Sequence, residues 1–186
     1  MNCVQPTAPS FCPVTPGHRG LLVEFLVDSY RPLFEQNSCW EDLPRSFQQF
    51  DDEVFQKIET LGRCVFLTRL DGQFIGFSSF DPRQAPMTAV IGHNCIVPRF
   101  QKRGLGKAQA FETLSRLKQL SFRKATVTTS EHPFFLPARR MYLSCGFTEV
   151  RRYAAGPDAR YGVVLLEQEM GAGNKGLSPT GDSLCS

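Results

Sequence analysis

Apolar positions change their spacing along the chain, and each change marks a new element. Leu21, Leu22, Phe25, Leu26 and Tyr30 recur at helical spacing behind Thr15-Pro16, a cap residue followed by proline at the first helical position, and predict a first helix. After a polar stretch from Glu35 to Asp42, which contains the only tryptophan, Trp40, the residues Phe47, Phe50, Val54, Ile58 and Leu61 repeat that spacing and predict a second helix ending at Gly62. From Arg63 the period falls to two. RCVFLTRL, the turn pair Asp71-Gly72 and QFIGFSSF read as a hairpin closed by Asp81-Pro82. MTAVIGHNCIV reads as a third strand in which Gly92 marks a bulge or a close backbone approach.

Helical spacing returns over residues 105–120, where apolar residues 105, 108, 111, 114 and 117 drift around the axis and imply a helix covered on a wide face. KATVTTS follows as a strand. PARRMYLSCGF is a short helix opened by Pro137 and stopped by Gly146, with Ala138, Met141, Tyr142 and Cys145 on one side. Residues 147–153 and 160–170 are two closing strands around Gly156-Pro157-Asp158. Residues 1–12 and 171–186 have little to bury and read as a flexible N-terminus and a disordered tail, leaving residues 13–170 as one domain. The order ααβββαβαββ is a mixed α/β pattern, and the strand-helix-strand around residue 105 calls for a crossover between parallel strands. A site is expected where that strand hands over to its helix.

Composition narrows the function classes. With 186 residues, 41% of them apolar, the chain is long enough for one substantial core. It carries neither a membrane-length apolar run nor the basic start and apolar stretch of a signal peptide, so a cytoplasmic protein is expected. Seven cysteines without a CxxC pair suggest reduced thiols and no metal site. A formal charge of +3 is too mild to argue for nucleic acid on its own.

The local chemistry centres on CIVPRFQKRGLGKAQ, residues 95–109. A helix N-terminus leaves backbone N–H groups unpaired and carries a partial positive charge, so it can hold a phosphate if the chain comes close. Gly104 and Gly106 permit that approach, and Lys102, Arg103 and Lys107 add charge at the rim. By itself a GxG is weak, because a tight turn with a solvated basic face would look the same. The third glycine of GxGxxG and the GK[ST] ending of a P-loop are both missing.

Two motifs in order, Gln101-Lys102-Arg103-Gly104-Leu105-Gly106 after IVP and then ARRMYLSCGF, resemble the signatures of the GCN5-related N-acetyltransferase (GNAT) superfamily. That resemblance implies an acyl-CoA N-acyltransferase fold of α/β (α+β) class, a mixed sheet of about six to seven strands with four flanking helices. It implies an acetyltransferase using acetyl-CoA. Backbone N–H groups of the turn, with Gln101, Lys102, Arg103, Gly104, Leu105, Gly106 and Lys107, would hold the coenzyme A pyrophosphate. Ile96 and Val97 would pair with the pantetheine arm across a splay between two strands, and an N–H near Val97 would serve the oxyanion. Where the family often has an asparagine meeting the cofactor, this chain has Phe135, so either Ser130 or His132 substitutes or the contact is absent. Tyr142 matches the tyrosine that protonates the departing sulfur, and His93 the place of a general base, with His132 in reserve.

Cys95 and Cys145 lie nearby without a histidine partner, so direct transfer to a primary amine is expected rather than an acyl-cysteine. For the acceptor, a small amine or a peptide, the family's entry wall falls on Glu35, Trp40, Glu41 and Asp42, followed by Asp51, Asp52 and Glu53. Two alternatives stand beside this reading. Arg99, Lys102, Arg103, Arg139, Arg140, Arg151 and Arg152 would suit a toxin-like acetyltransferase acting on aminoacyl-tRNA, and a non-catalytic acyl-CoA sensor would keep the same fold. Monomer and homodimer both remain open.

Overall fold

Within residues 8–35, 40–156 and 160–171, which the computed structural model describes, eleven α- and β-elements follow one another. They are β1 (Ser10–Pro13), α1 (Leu21–Glu35), α2 (Leu43–Gln56), β2 (Val65–Leu70), β3 (Gln73–Gln84) and β4 (Thr88–Ile96), then α3 (Leu105–Gln119), β5 (Lys124–Ser130), α4 (Leu136–Ser144), β6 (Thr148–Tyr153) and β7 (Val163–Glu169). The strands form one sheet in the order β1-β2-β3-β4-β5-β7-β6. Only β4 and β5 run parallel, joined by α3, so the crossover expected from the sequence is present.

The helices cover opposite faces of the sheet. Phe77 of β3 stacks on Phe50 of α2 with ring centroids 6.0 Å apart, while its neighbour Ser78 hydrogen-bonds Thr113 of α3 at 3.0 Å. One core layer packs Leu22, Phe25 and Leu26 of α1 on Leu67, Ile75 and Phe77, and the other packs Leu114, Leu117 and Tyr142 on Ile91, Val127 and Leu166. The two long helices on the first face are tied by Asp51. Its fully buried carboxylate on α2 accepts the Gly20 N–H at 2.9 Å, just before α1 begins, where the helix dipole favours a negative charge.

Several boundaries differ from the sequence expectation for identifiable reasons. Ser10–Pro13, placed in or beside the flexible N-terminus, pairs antiparallel with β2 and sets the Phe11 ring 5.6 Å from Phe66. Residues 1–7, 36–39, 157–159 and 172–186 lie outside the described residues, as does most of the expected disordered tail. Thr15-Pro16 opens a single 3₁₀ turn (Pro16–His18), and α1 starts only after Gly20, whose φ is +90°. α2 stops at Gln56, because the apolar spacing through Ile58 and Leu61 is carried on by a turn and a 3₁₀ segment. β3 runs past Asp81-Pro82 to Gln84, since the outer end of the hairpin needs fewer ladder bonds. The drift along α3 vanishes once Gln109 and Thr113 are seen to be fully buried while Phe111 is exposed. Its inward stripe is partly polar.

Gly76 is the tightest point between β3 and β4, where a Cβ would stand 2.0 Å from the Cys95 carbonyl oxygen. Gly76→Ala should therefore destabilise the protein by about 3 kcal/mol or more, read as a lower denaturation midpoint at unchanged slope.

Candidate active site

The site begins with one extra residue in β4. Opposite Ser78 and Phe80 of β3 stand Asn94 and Ile91, so β4 bulges at Gly92 and His93. The bulge reverses the side-chain phase. Ile91 belongs to the core layer under α3, whereas His93 lies among Phe50, Phe77 and Phe47 under α2. From the same point β4 leaves its parallel neighbour: pairing with β5 ends at Ile91 and Val127, although β4 continues to Ile96 and β5 to Ser130.

Main-chain groups of the diverging segment are apportioned. Val97 donates its N–H to the Ile75 carbonyl at 2.9 Å, so in the antiparallel ladder the N–H groups of Ile96 and Asn94 point away from β3, into the gap. The Ile96 carbonyl is taken by the Gln101 side chain at 2.7 Å and by Ser29 Oγ at 3.3 Å. The N–H of Val97 is thus committed to the sheet. Gln101 fixes the strand end rather than extending from the turn.

At the end of β4 the chain reverses through Pro98–Phe100 and enters α3. Lys102 and Gly104 hold φ of +59° and +79°, and a Cβ on Gly104 or Gly106 would meet nothing within 4 Å. This leaves an open concavity of backbone N–H groups at a helix start, which suits a diphosphate. The guanidinium groups of Arg99 and Arg103 lie over the Phe100 ring at 5.1 and 5.4 Å, and Lys107 lies over Phe111 at 5.7 Å. Among the described residues no carboxylate pairs with Arg99, Lys102, Arg103 or Lys107. Leu105 is buried and anchors the helix start in the core.

Tyr142 of α4 is buried near Asn94, and burial raises its phenol well above the ordinary range, an effect the Asn94 side chain partly opposes. Tyr30 of α1 lies close by with its hydroxyl likewise raised by burial. Asn94 belongs to a buried polar chain: its Nδ2 donates to the Gly106 carbonyl at 3.2 Å, and its Oδ1 accepts from Gln109 Nε2. Gln109 also donates to the Phe77 carbonyl at 2.8 Å and accepts from the Thr68 hydroxyl. Sequence patterning passed over Asn94, Gln109 and Tyr30. The available signal was an amide residue on the inward side of both a strand and a helix.

His93 has its imidazole 4.7 Å from the Phe50 ring, and burial among aromatics pulls its pKa down to about 4. It forms part of the wall of a cavity of about 440 Å³ between α2 and the bulge, together with Phe50, Glu53, Val54, Lys57 and Ser79. The volume lies in the range of small-molecule sites. Cys95 is fully committed, its Sγ 3.1 Å from Ser29 Oγ, and burial pushes the thiol up to about 12. Burial raises Cys145 as well.

Other expected residues fall outside this centre. Ser130 turns its hydroxyl back to accept the His132 N–H at 3.1 Å, and His132 Nδ1 accepts the Phe134 N–H at 3.1 Å. Trp40 packs on His132 and Phe135, with centroids 6.5 and 6.3 Å away. Glu35 pairs with Arg31 at 3.6 Å on an exposed helix face, and Glu41 and Asp42 are exposed. Asp51 ties the two helices and Asp52 pairs with Arg19 at 2.6 Å, so only Glu53 of the expected carboxylates reaches the cavity beside His93. Arg152 is held by Glu131 and Glu149, which removes one cation from the surface considered for RNA.

A model of the acetyltransferase (GNAT) family matches residues 23–147, more than half of the chain. No curated protein gives a significant sequence match. Among solved structures, a GNAT-family protein from Desulfovibrio desulfuricans is similar with a TM-score of 0.71 and 20% identity, over 88% of this chain and 99% of that one. YncA from Salmonella typhimurium, solved with its cofactor acetyl-CoA, gives 0.69 and 13% identity over 88% and 95% of the two chains. The ribosomal-protein-S18-alanine N-acetyltransferase from Escherichia coli gives 0.63 and 15% identity over 92% and 99%. At such identities these likenesses speak for the fold.

The environment of His93 has a measurable consequence. The unfolded chain protonates this histidine near pH 6.5 and the folded one near 4, so between those values the unfolded state holds more protons and acid favours unfolding. Stability should fall by roughly 3 kcal/mol as pH drops from about 6.5 to 4, and His93→Gln should remove that part of the slope in denaturant titrations.

Proposed function

The chain belongs to the acetyltransferase (GNAT) family, and from that premise we propose that it transfers the acetyl group of acetyl-CoA to the primary amine of a small acceptor held in the cavity beside His93, by direct attack in a ternary complex. The observation that carries this reading is the convergence on one gap of three features: the open edge of β4, the basic Gly104–Gly106 turn and the Tyr142 hydroxyl. Acetyl-CoA would supply an activated acyl group on a thiolate whose reference pKa is about 8.5.

The chain's own residues divide the work. N–H groups from Lys102 to Lys107 and the cations Lys102, Arg103 and Lys107, which have no carboxylate partner among the described residues, bind the diphosphate. Gap-facing N–H groups of Asn94 and Ile96 align the acyl arm as a false strand and polarise its carbonyl, a duty Val97 cannot take because its N–H is bonded to Ile75. Tyr142 holds a proton that burial makes hard to lose as free phenolate, which suits a donor to a leaving sulfur.

His93 is neutral above about pH 4 and is a weak base. Taking a proton from an alkylammonium of pKa about 10.4 would cost it roughly 9 kcal/mol, so its role is to accept a hydrogen bond from an amine already neutral or deprotonated through water. The buried thiols of Cys95 and Cys145 offer no thiolate for a covalent intermediate.

Coenzyme A release followed by chromatography, with amino acids, arylalkylamines, polyamines and short peptides as acceptors, tests the reading. Acceptor-dependent release is expected. Acetyl-CoA binding without release across the panel would instead favour a sensor or a macromolecular acceptor. Tyr142→Phe should lower kcat by at least about tenfold with acetyl-CoA KM within about twofold, and an equal loss of binding would make Tyr142 a packing residue. Phe50→Ala, at the cavity wall, should raise the acceptor KM and leave the acetyl-CoA KM unchanged.

A further inference from the structure

The geometry points to a free diamino acid as the acceptor, with its side-chain amine at His93 and its α-ammonium and α-carboxylate meeting Glu53 and Lys57 further along the same cavity wall. The inference rests on the acetyl-transfer reading of that cavity and adds the chemical class of the acceptor.

The wall is one face of α2. Phe50, Glu53, Val54 and Lys57 all line the cavity, and offsets of three, four and seven residues put them on one side of a helix. Phe50 is the ring that packs on the His93 imidazole at 4.7 Å, so it marks the reacting end. At about 1.5 Å per residue, Glu53 stands roughly 5 Å along the axis from Phe50, and Lys57, which ends the helix, roughly 10 Å. The order along the wall is therefore imidazole, carboxylate, ammonium.

Charges at the far end sort into one satisfied pair and two groups left over. Arg83 Nε donates to both Asp81 oxygens, at 2.9 and 2.7 Å, and this pairing holds the Asp81 carboxyl below its ordinary range. Glu53 and Lys57 form no ion pair among the described residues, although a glutamate four residues before a lysine is the favoured order for one. Two opposite charges one helical turn apart complement an amino acid head group, which carries an ammonium and a carboxylate on one carbon. Around His93 the lining is apolar, with Phe50, Val54 and Phe80, and suits a methylene stem. An extended four-carbon side chain holds its amine about 6 Å from the α-carbon, close to the distance from the Glu53 level to the Phe50 level. Other amines match less of this wall. A diamine sets a cation against Lys57, a simple ω-amino acid leaves Glu53 without a partner, and a lysine inside a peptide carries neither head-group charge.

Steady-state coenzyme A release, followed by chromatography, would be compared for free lysine, ornithine, cadaverine, 6-aminohexanoate and a lysine peptide blocked at its N-terminus. Lysine or ornithine should exceed each of the others in kcat/KM by about tenfold or more, with NMR placing the acetyl group on the side-chain nitrogen. Lys57→Glu should raise cadaverine above lysine, and Glu53→Gln should cut the advantage of lysine over 6-aminohexanoate to less than about threefold. Both variants should keep the acetyl-CoA KM within about twofold of wild type, and since both side chains are exposed, the melting temperature as well. A wild-type preference for cadaverine or the peptide, acetylation of the α-nitrogen, or a Lys57→Glu loss shared equally by all acceptors would overturn the proposal. Release with every amine but no head-group preference sinks this inference alone. Bound acetyl-CoA with no release for any amine sinks the transferase reading and this inference with it.

Discussion

Backbone polar groups must be paired or face solvent or a ligand, and the bulge at Gly92 and His93 removes a strand's worth of partners from the middle of the sheet. The chain makes good the loss on one side only. His93 donates its N–H to Ser79 Oγ at 2.9 Å and receives Ser78 Oγ on its carbonyl at 3.0 Å, while Gln101 and Ser29 satisfy Ile96. Polar side chains from β3, α1 and the turn therefore hold β4 in its bent path. β5 in turn pairs along its full length with β7, from Lys124 with Glu169 to Ser130 with Val163, and needs nothing from β4 beyond Val127. The gap is stable because each of its walls is secured from behind, which leaves the facing edges available for a ligand.

The same geometry sorts charge. Cations gather at the turn, where Lys102, Arg103 and Lys107 have no carboxylate partner among the described residues. Deeper in, burial shifts His93, Tyr30, Tyr142 and Cys95 each toward its neutral form. A site charged at its mouth and neutral at its centre binds an anionic carrier by the part that does not react. It leaves the thioester among groups that can exchange hydrogen bonds without first gaining or losing charge. That favours attack by a neutral amine over a mechanism that builds an ion pair in the interior.

Much of this was legible in the sequence, for reasons that also explain what was not. Helical and alternating apolar spacing located ten of the eleven elements, and the glycine turn stood out because Gly104 must adopt a positive φ at an open helix start. β1 was missed because four residues ending in proline carry no period; their partner β2 lies more than fifty residues away. Gly92 was recognised as a break, but a break does not say which face the next side chain will take. The acidic residues of the first two helices misled for a related reason. Asp51 and Asp52 look alike in sequence, yet one is sealed at the start of α1 and the other meets Arg19 at the surface, and only tertiary contacts tell them from Glu53 at the cavity.

Phe135 shows how a departure from a motif can be absorbed. A phenylalanine cannot offer the amide of an asparagine, and here it joins Tyr30, Phe134 and Trp40 in an aromatic cover running from α1 to the segment after β5. Such a cover can exclude water, but it cannot orient a proton. Ser130 Oγ and His132 Nδ1 each accept one local N–H, from His132 and Phe134. The polar contacts at the centre come instead from the strand, through Asn94, and from the buried face of α3, through Gln109. These lie on rigid elements fixed to the bulge, whereas the segment after β5 is attached at one end of the gap. Placing the amide on β4 thus makes its position depend on the same distortion that opens the gap, so the binding edge and the Asn94 amide follow from one feature of the backbone.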